Sequence, residues 1–354
     1  MAVTRAKGRG AASNPAGRFE SVRGGACDDG WFPDEAEDGR RAATTVTEEC
    51  ARGIVSRNES PDVPFDRSIN PYRGCEHGCV YCYARPSHSY LNLSPGLDFE
   101  TRLFAKTNAA ELLRDKLAAR GYRPVPITIG ANTDPYQPIE RRYAITRALL
   151  EVFVAARHPC TIITKSAMVE RDLDLLVELA RDGLVAVFVS VTSLDNRLSA
   201  KLEPRASAPH RRIAAIRRLS EAGVPAGVLV SPVIPMVTDT DLEEILAQAH
   251  AAGARRASYA LVRLPHEVAQ LFREWLDLHL PERAEHVMSL VRQMRGGRDN
   301  DPRFGVRMKG EGVFAELIAR RFRVAARRLG FGSEREFDLR CDLFRPPTPQ
   351  GDLF

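Results

Sequence analysis

Two features that mark exported and membrane proteins are missing from this sequence of 354 residues. No apolar run approaches the roughly 18 residues that a membrane-spanning helix needs. The N-terminal stretch MAVTRAKGRGAASNPAGRFE contains no apolar segment of the kind found in secretory signal peptides. We therefore expect a cytoplasmic protein that has no membrane partner.

Cysteine is scarce, and the few cysteines are unevenly placed. There are seven, and an odd count in a cytoplasmic chain argues against a disulfide framework. Cys75, Cys79 and Cys82 lie within eight residues of one another, whereas the other four are scattered. No further CxxC pair occurs, so a second cluster is not expected.

The chain divides into four segments of different composition. Residues 1–60 are rich in glycine, arginine and acidic residues without a sustained period, which predicts an irregular, partly disordered arm. Residues 61–265 alternate short β-branched runs with helical patterns. Residues 266–331 are helical in pattern, and residues 332–354 form a polar, proline-rich tail.

Six short apolar runs in the second segment predict strands, at residues 68–72, 126–131, 160–164, 185–191, 226–230 and 257–262. Helical patterns fall between them, at residues 106–119, 140–157, 170–182, 208–222 and 239–252. Strands joined by such crossovers pair in parallel, so the fold class is α/β, either an open doubly wound sheet or a barrel. Six units are fewer than the eight of a complete barrel, and a partial barrel would leave a wide mouth for a large substrate.

Polar side chains follow four of the predicted strands at their carboxyl ends, at residues 132–134, 164–166, 190–193 and 231. Ligands of α/β proteins bind outside the carboxyl ends of the strands, so these clusters predict a site at that edge. Ordinary turn chemistry is the alternative, because serine, asparagine and aspartate favour turns.

The three neighbouring cysteines have the spacing C-x3-C-x2-C. Thiolates are the usual ligands of iron–sulfur clusters. Three of them on a four-iron cube leave one iron free to bind a small molecule through its amine and carboxylate. Gly74 and Gly78 would let the loop wrap closely around such a cluster.

Two other interpretations of the cysteines remain open. A zinc site with three cysteines and one histidine is conceivable, but neither His77 nor His88 lies at a standard zinc-knuckle spacing. An electron-carrying ferredoxin would need a fourth cysteine and would not need six strand–helix units.

At these residues the chain resembles the radical SAM superfamily. That family's signature is C-x3-C-x-aromatic-C, in the loop after the first strand of a partial (β/α)6 barrel, and Tyr81 supplies the aromatic residue here. The resemblance covers residues 68–265. It implies a partial (β/α)6 radical SAM barrel, flanked by the irregular N-terminal arm and a C-terminal helical extension.

The resemblance also implies the cofactors. Cys75, Cys79 and Cys82 would bind a [4Fe–4S] cluster whose fourth iron is chelated by S-adenosyl-L-methionine (SAM). An electron from a donor such as flavodoxin or ferredoxin would cleave SAM to methionine and a 5′-deoxyadenosyl radical, which abstracts hydrogen from the substrate. The protein's part would be to position the reactive carbon and exclude water.

Short motifs beyond the cysteines are similar to those of the spore photoproduct lyase-like branch, whose members are often labelled DNA repair photolyases. They are YCY (81–83), GANTDPYQP (130–138), TIITKS (161–166), VSVTSLD (189–195) and LEPR (202–205). The resemblance is strongest to an uncharacterised bacterial subgroup of that branch.

This resemblance implies roles for individual residues. Tyr81 and Tyr83 would border the SAM adenine, and Lys165 would meet the SAM carboxylate unless it is simply an exposed lysine at a strand end. The other expected SAM contacts are Ser190 at the ribose hydroxyls and Asn132, Thr133 and Asp134 near the methionine amino group.

Two residues are candidates for catalysis. Arg205 would pair with a carboxylate or phosphate, since its planar guanidinium suits both, or would form a structural ion pair. Spore photoproduct lyase returns a hydrogen atom from a cysteine at the end of its second strand, where this sequence has Ala131 or Asn132. Tyr136 is then the nearest alternative donor, and lesion reversal through a cysteine is not expected.

The C-terminal sequence QGDLF has the form Q-x-x-L-F and resembles the short peptide by which bacterial replication and repair proteins dock on the sliding clamp. Gln350, Leu353 and Phe354 would make that contact, and packing on the chain's own barrel is the alternative. Five arginines between residues 320 and 328 form either a solvated helix face or a surface for phosphate backbones.

Three functional hypotheses follow. The first is a radical SAM enzyme that acts on nucleic acid, in repair or modification. The second is a radical SAM enzyme that acts on a peptide or small metabolite. The third is a noncatalytic iron–sulfur module for DNA binding or redox transfer.

Overall fold

Ten strands occur in the part of the chain that the structure, a computed structural model, describes: residues 8–19, 43–332 and 337–347. They are β1 (Thr45–Glu49), β2 (Val55–Arg57), β3 (Arg67–Ile69), β4 (Tyr72–Arg73), β5 (Arg102–Lys106), β6 (Ile127–Ile129), β7 (Cys160–Thr164), β8 (Val185–Ser190), β9 (Ala226–Val233) and β10 (Arg256–Leu261).

Seven of these strands form the main sheet, in the order β10-β9-β8-β7-β6-β3-β2. β3, β6, β7, β8, β9 and β10 pair in parallel, and β2 adds an antiparallel edge to β3. Side chains from β6 to β10 line one central cavity, so the sheet curves around it. The six parallel strands and this curvature confirm the predicted partial barrel.

Helices connect the strands and cover the outside of the sheet. They are α1 (Asp98–Thr101), α2 (Ala109–Ala118), α3 (Glu140–Tyr143), α4 (Ile145–Ala156), α5 (Leu173–Arg181), α6 (Asn196–Leu202), α7 (Pro209–Glu221), α8 (Leu242–Ala251), α9 (Glu267–His279), α10 (Ala284–Gln293) and α11 (Gly312–Leu329). Apolar residues at helical spacing face the sheet; in α7, Ile213, Ile216 and Leu219 are buried in the main core.

The helical extension consists of α9, α10 and α11. α9 and α10 pack in a second core around Trp275, beside the cysteine loop, and α11 lies against α8. α11 ends at Gly330, whose left-handed backbone caps the helix and turns the chain toward the sheet. None of the helices in the described ranges has the length and apolar composition of a membrane span.

The N-terminal arm contains structure that the sequence analysis missed. β1 pairs in parallel with β5, and β2 pairs with β3. Both strands are short and largely exposed. Their sequences therefore lack the alternation of apolar and polar residues by which a strand is predicted. Upstream of them, Arg9, Gly10 and Ala11 hydrogen-bond to Glu100 and pack under the cysteine loop.

The C-terminal segment of residues 337–347, which we call the floor segment, also packs on the barrel. The Phe337 ring lies 5.6 Å from that of Phe188, inside the sheet. The Arg340 amide donates to the Gly183 carbonyl (3.0 Å), just before β8. Arg345 donates to Ala156 (2.8 Å), just before β7. The segment therefore crosses the amino ends of the strands, opposite the cysteine loop.

Candidate functional site

The cysteine loop, residues 74–82, follows β4 at the carboxyl end of the parallel strands. Two glycines in it have left-handed backbones, with φ of 76° at Gly74 and 66° at Gly78. A Cβ at Gly78 would lie 2.6 Å from Glu100 Oε2, and one at Gly74 would lie 2.5 Å from Leu103 Cδ2. Glycine is needed at both positions because of this strain and this crowding.

A buried ion pair supports the loop from behind. Arg85 is fully buried and lies 2.5 Å from Glu100. The same guanidinium donates to the carbonyls of Cys79 (2.9 Å) and Gly78 (3.2 Å). Glu100 in turn accepts the amides of residues 10 and 11. This pair fixes the backbone between two of the cysteines, and the sequence analysis did not identify it.

All three cysteines of the loop face the central cavity. Burial raises the pKa of each thiol, and ionised neighbours raise the pKa values of Cys75 and Cys79 further. Three adjacent thiolates, of which that of Cys82 is only half-buried, therefore need a positive partner, and the irons of a cluster would supply one. The donor set of three thiols in one loop fits an iron–sulfur cluster.

A single-ion arrangement is not found. Among residues 8–19, 43–332 and 337–347, no group of three or more His, Cys, Asp or Glu side chains is placed to hold one metal ion. Cluster ligands need no such convergence, because each thiolate binds its own iron.

The cavity has a volume of about 330 Å3 and runs from the cysteine loop into the barrel. Nine of the sequence-predicted site residues line it: Cys75, Cys79, Cys82, Tyr81, Tyr83, Asn132, Asp134, Lys165 and Ser190. Phe188, Leu229 and Phe337 contribute apolar surface deeper inside. A polar mouth at the cysteine loop thus leads to a more apolar interior.

Asp134 joins the ends of two strands. Its carboxylate accepts hydrogen bonds from the Thr164 hydroxyl (2.7 Å), the Lys165 amide (2.7 Å) and the Tyr136 amide (2.9 Å). His77 Nδ1 lies 3.3 Å from it. Burial opposes ionisation, but His77 and these donors together lower the pKa of Asp134. The structure thus gives Asp134 a role in tying the β6 and β7 ends to the cysteine loop.

Lys165 reaches across the cavity toward β9. Its ammonium donates to the Ser231 carbonyl (3.0 Å) and lies 3.6 Å from Glu203 Oε1. The same ammonium is 5.9 Å from the centre of the Tyr81 ring. Lys165 therefore faces the cavity and is fixed by these contacts. It is not the exposed strand-end lysine of the alternative interpretation.

Glu203 is the centre of this buried network. It accepts hydrogen bonds from the Tyr81 hydroxyl, the Arg212 guanidinium and the Thr192 hydroxyl (2.8 Å). Burial disfavours the carboxylate, but Arg212, Lys165 and these donors outweigh that effect and lower its pKa to about 2. Sequence reasoning missed Glu203 and Arg212, although LEPR was recognised as a motif.

Tyr83, Asn132 and Ser190 occupy the cavity wall in different ways. The Tyr83 hydroxyl donates to the Ala131 carbonyl, and 48% of this residue's surface is exposed. The backbone N–H of Asn132 donates to the side-chain oxygen of Asn70 (2.8 Å). The Ser190 carbonyl accepts from Arg212 (3.2 Å) at the end of β8.

Three sequence-predicted residues do not line the cavity. Thr133 donates its hydroxyl to the Tyr72 carbonyl (2.9 Å). Tyr136 is buried in the main core, where its hydroxyl donates to Asp172 (3.1 Å), so it does not reach a substrate. Arg205 pairs with Glu76 (3.1 Å), which is the structural ion pair of the two alternatives.

The clamp-like residues Gln350, Leu353 and Phe354 lie outside the described residues. The basic residues 320, 323, 327 and 328 lie together along one side of α11, where they line a shallow surface depression away from the cavity. Arg321 instead pairs with Glu243 (2.6 Å) on α8.

Comparison with known proteins identifies relatives of the chain. Residues 69–249 match the model of the Radical SAM superfamily. An uncharacterized protein of Mycobacterium tuberculosis is 37% identical over 246 residues, which cover 69% of this chain and 72% of that protein. The radical SAM Nalpha-GlyT isomerase of Pseudomonas phage M6 is 25% identical over 230 residues, covering 64% of this chain and 46% of the isomerase.

Among solved structures, spore photoproduct lyase complexed with dinucleoside spore photoproduct is similar in fold. The TM-score is 0.54 at 14% sequence identity, and the match covers 80% of this chain and 79% of that chain. An identity this low shows a shared fold alone.

Proposed function

The chain belongs to the radical SAM superfamily, and we propose that it is an enzyme that uses a [4Fe–4S] cluster on Cys75, Cys79 and Cys82 to cleave SAM and abstract hydrogen from a nucleic acid. The observation that carries the proposal is the placement of these three thiols and of Lys165 on one cavity at the carboxyl ends of the strands. When bound, the reduced cluster and SAM supply a 5′-deoxyadenosyl radical.

The chain's own residues have distinct tasks in this proposal. The cysteine loop, braced by Arg85 and Glu100, holds the three thiolates in place. Lys165 offers its ammonium to the SAM carboxylate, with Glu203 holding the Lys165 side chain in position. Tyr81 and Tyr83, on either side of Cys82, border the adenine.

Other predicted SAM contacts are kept or revised. Asn132 and Ser190 remain candidates because both line the cavity. We assign Asp134 a positioning role, since its oxygens already accept three hydrogen bonds from the protein. Thr133 is assigned to the support of the β4 end.

The floor segment protects the reaction. A carbon radical reacts with any hydrogen donor that reaches it, so the cavity has to exclude solvent. Phe337 and Leu339 line the cavity from the amino-end side of the barrel. Their position closes the barrel at that end and leaves the cysteine-loop end for the substrate.

One comparison favours a nucleic acid substrate, because a solved structure of similar fold holds a dinucleoside spore photoproduct. The burial of Tyr136 argues against it as the hydrogen donor, and the chain has no cysteine at residues 131 and 132. We therefore propose a hydrogen abstraction whose outcome differs from cysteine-dependent lesion reversal.

The test is anaerobic reconstitution with iron, sulfide and reductant, followed by measurement of 5′-deoxyadenosine formed from SAM. Replacement of Cys79 by alanine is expected to abolish the formation of 5′-deoxyadenosine. Cys50→Ser, which changes an exposed cysteine, is expected to leave it unchanged. If the wild-type protein forms no 5′-deoxyadenosine, the enzyme proposal fails and the noncatalytic hypothesis returns. Deuterium transfer from labelled oligonucleotides into 5′-deoxyadenosine then tests the substrate class against peptides and small metabolites.

Two partner proposals accompany this function. A flavodoxin or ferredoxin supplies the electron. The sliding clamp binds Gln350, Leu353 and Phe354. A peptide ending in QGDLF is expected to bind purified clamp, and its Leu353→Ala/Phe354→Ala version is not. No detectable binding at high micromolar clamp would rule this contact out.

A further inference from the structure

We propose that Arg263 is a phosphate-binding residue for the substrate, at the wall of the cavity formed by the β10 end and residues 308 and 309. The inference rests on the proposed function, because it names the part of a nucleic acid that this wall recognises: the phosphodiester group next to the nucleotide in the cavity.

Arg263 lines the cavity, and among the described residues it forms no ion pair within 4.0 Å; the carboxylate beside it, Asp62, is paired with Arg307 instead. Its Nη1 lies 3.5 Å from the Met308 sulfur, a weak acceptor, and its guanidinium lies 5.4 Å from the centre of the Tyr83 ring. Its Nε is buried and has no hydrogen-bond partner among the described residues. Asp62 attracts this guanidinium from a longer distance, while its own ion pair is with Arg307.

The surroundings of Arg263 are rich in positive charge. Arg307 lies close by and is itself held by Asp62 (2.5 Å), so that carboxylate is already engaged. Arg295, behind the wall, donates to the carbonyls of Val262 (2.8 Å) and Val306 (3.0 Å). Burial, and then the neighbouring Arg307, lower the pKa of Arg263. An anion bound here would relieve this repulsion.

A phosphodiester suits this wall better than an isolated carboxylate or an apolar group. The guanidinium plane offers parallel donors to two phosphate oxygens. Tyr259 also lines the cavity, and aromatic rings of this kind stack with unpaired bases. Arg263 would therefore hold the backbone while the base enters between the cysteine loop and β10.

The position also fits the direction of approach. Arg263 follows β10 at the same end of the barrel as Cys82, and Tyr83 lies between them. On the opposite side of the mouth, Lys165 is engaged by Glu203 and the Ser231 carbonyl. Lys165 is thus assigned to SAM and Arg263 to the substrate.

The test compares two fluorescent single-stranded oligothymidylates by anisotropy, one with natural phosphodiesters and one with uncharged methylphosphonates. Arg263→Gln is expected to weaken binding of the natural oligonucleotide at least about tenfold and to reduce the slope of log Kd against log salt by about 0.7, the value for one phosphate on a single strand. The methylphosphonate is expected to bind the wild-type protein and Arg263→Gln equally. Arg263→Lys restores part of the affinity for the natural oligonucleotide.

The matched control is Arg303→Gln, which removes the same charge from an exposed arginine. Arg303 is paired with Asp301, and both residues lie in the connection between α10 and α11. The substitution should leave affinity unchanged. The proposal is overturned if Arg263→Gln binds the natural oligonucleotide as tightly as the wild type, or if both oligonucleotides lose affinity equally. SAM cleavage without substrate is measured in parallel. If the wild-type protein does not cleave SAM, the proposed function fails. The role of Arg263 in phosphate binding is decided by the binding measurements alone.

Discussion

The Lys165 ammonium lies 3.6 Å from Glu203 Oε1, and this pair links the end of β7 to the segment after α6. Glu203 also binds Arg212 and the Tyr81 hydroxyl, so two cations share one buried carboxylate. The cation proposed for SAM is therefore held by a residue that itself does not line the cavity.

Replacement of Glu203 by glutamine leaves Lys165 and Arg212 without their shared carboxylate. Breaking a buried ion pair from one side costs about 3–5 kcal/mol, so the melting temperature should fall markedly. In the protein that remains folded, we expect the KM for SAM to rise more than kcat falls, because Lys165 loses its fixed position. Glu221→Gln, at an exposed glutamate, is the control; equal melting temperatures for the two variants would contradict this role.

The same carboxylate predicts a pH dependence of stability. Its pKa is lowered from 4.5 to about 2 in the folded protein, so the folded state favours the ionised form. This contribution is fully present above pH 4.5 and is lost as the pH falls toward 2. Urea unfolding across this range should give the wild type a steeper loss of stability than Glu203→Gln. Parallel profiles would show that Glu203 is not strongly stabilised as an anion.

Replacement of Gly78 by alanine is expected to prevent cluster assembly. The new Cβ would meet Glu100 at 2.6 Å while the backbone stays left-handed. Gly121→Ala is a matched control, because Gly121 has a similar φ of 77° but open space around it. In the control, the free energy of unfolding should fall by only about 1–2 kcal/mol, the cost of placing alanine in a left-handed backbone. The control should still bind a full complement of iron and sulfide. Normal iron content in Gly78→Ala would refute the crowding argument.

Tyr136→Phe tests whether the hydroxyl takes part in catalysis. It donates to Asp172 in the core, so its loss should cost about 1 kcal/mol of stability and leave the rate of 5′-deoxyadenosine formation unchanged. Asp172 keeps its contacts with Arg171 and Arg147 in the variant. A large fall in substrate-dependent turnover, without loss of folded protein, would restore Tyr136 as a hydrogen donor.

The barrel strands could be predicted from the sequence because they read as short apolar, β-branched runs; Val185–Ser190 is also buried on both faces. β1 and β2 could not, since each depends on a partner strand and is itself half-exposed. Spacing along the chain located the cysteine loop, because all its ligands come from one segment.

The roles of individual site residues were harder to predict, because they depend on the direction in which each side chain points. Arg205 and Glu203 are two positions apart in LEPR, but only Glu203 points into the network behind Tyr81, while Arg205 points toward Glu76. Tyr136 follows Asp134 by two residues and faces the core instead of the cavity. Arg263 lies outside every motif, and only its place beside Tyr83 reveals it.

The floor segment has a consequence for the order of assembly. Phe337 and Arg340 contact Phe188 and Gly183, which leave the ribosome long before them. Until the floor segment has been synthesised, Phe337 and Leu339 are absent from the cavity wall at the amino ends of the strands. The proposed cluster would therefore enter a better covered cavity in the finished chain than in a chain still being translated.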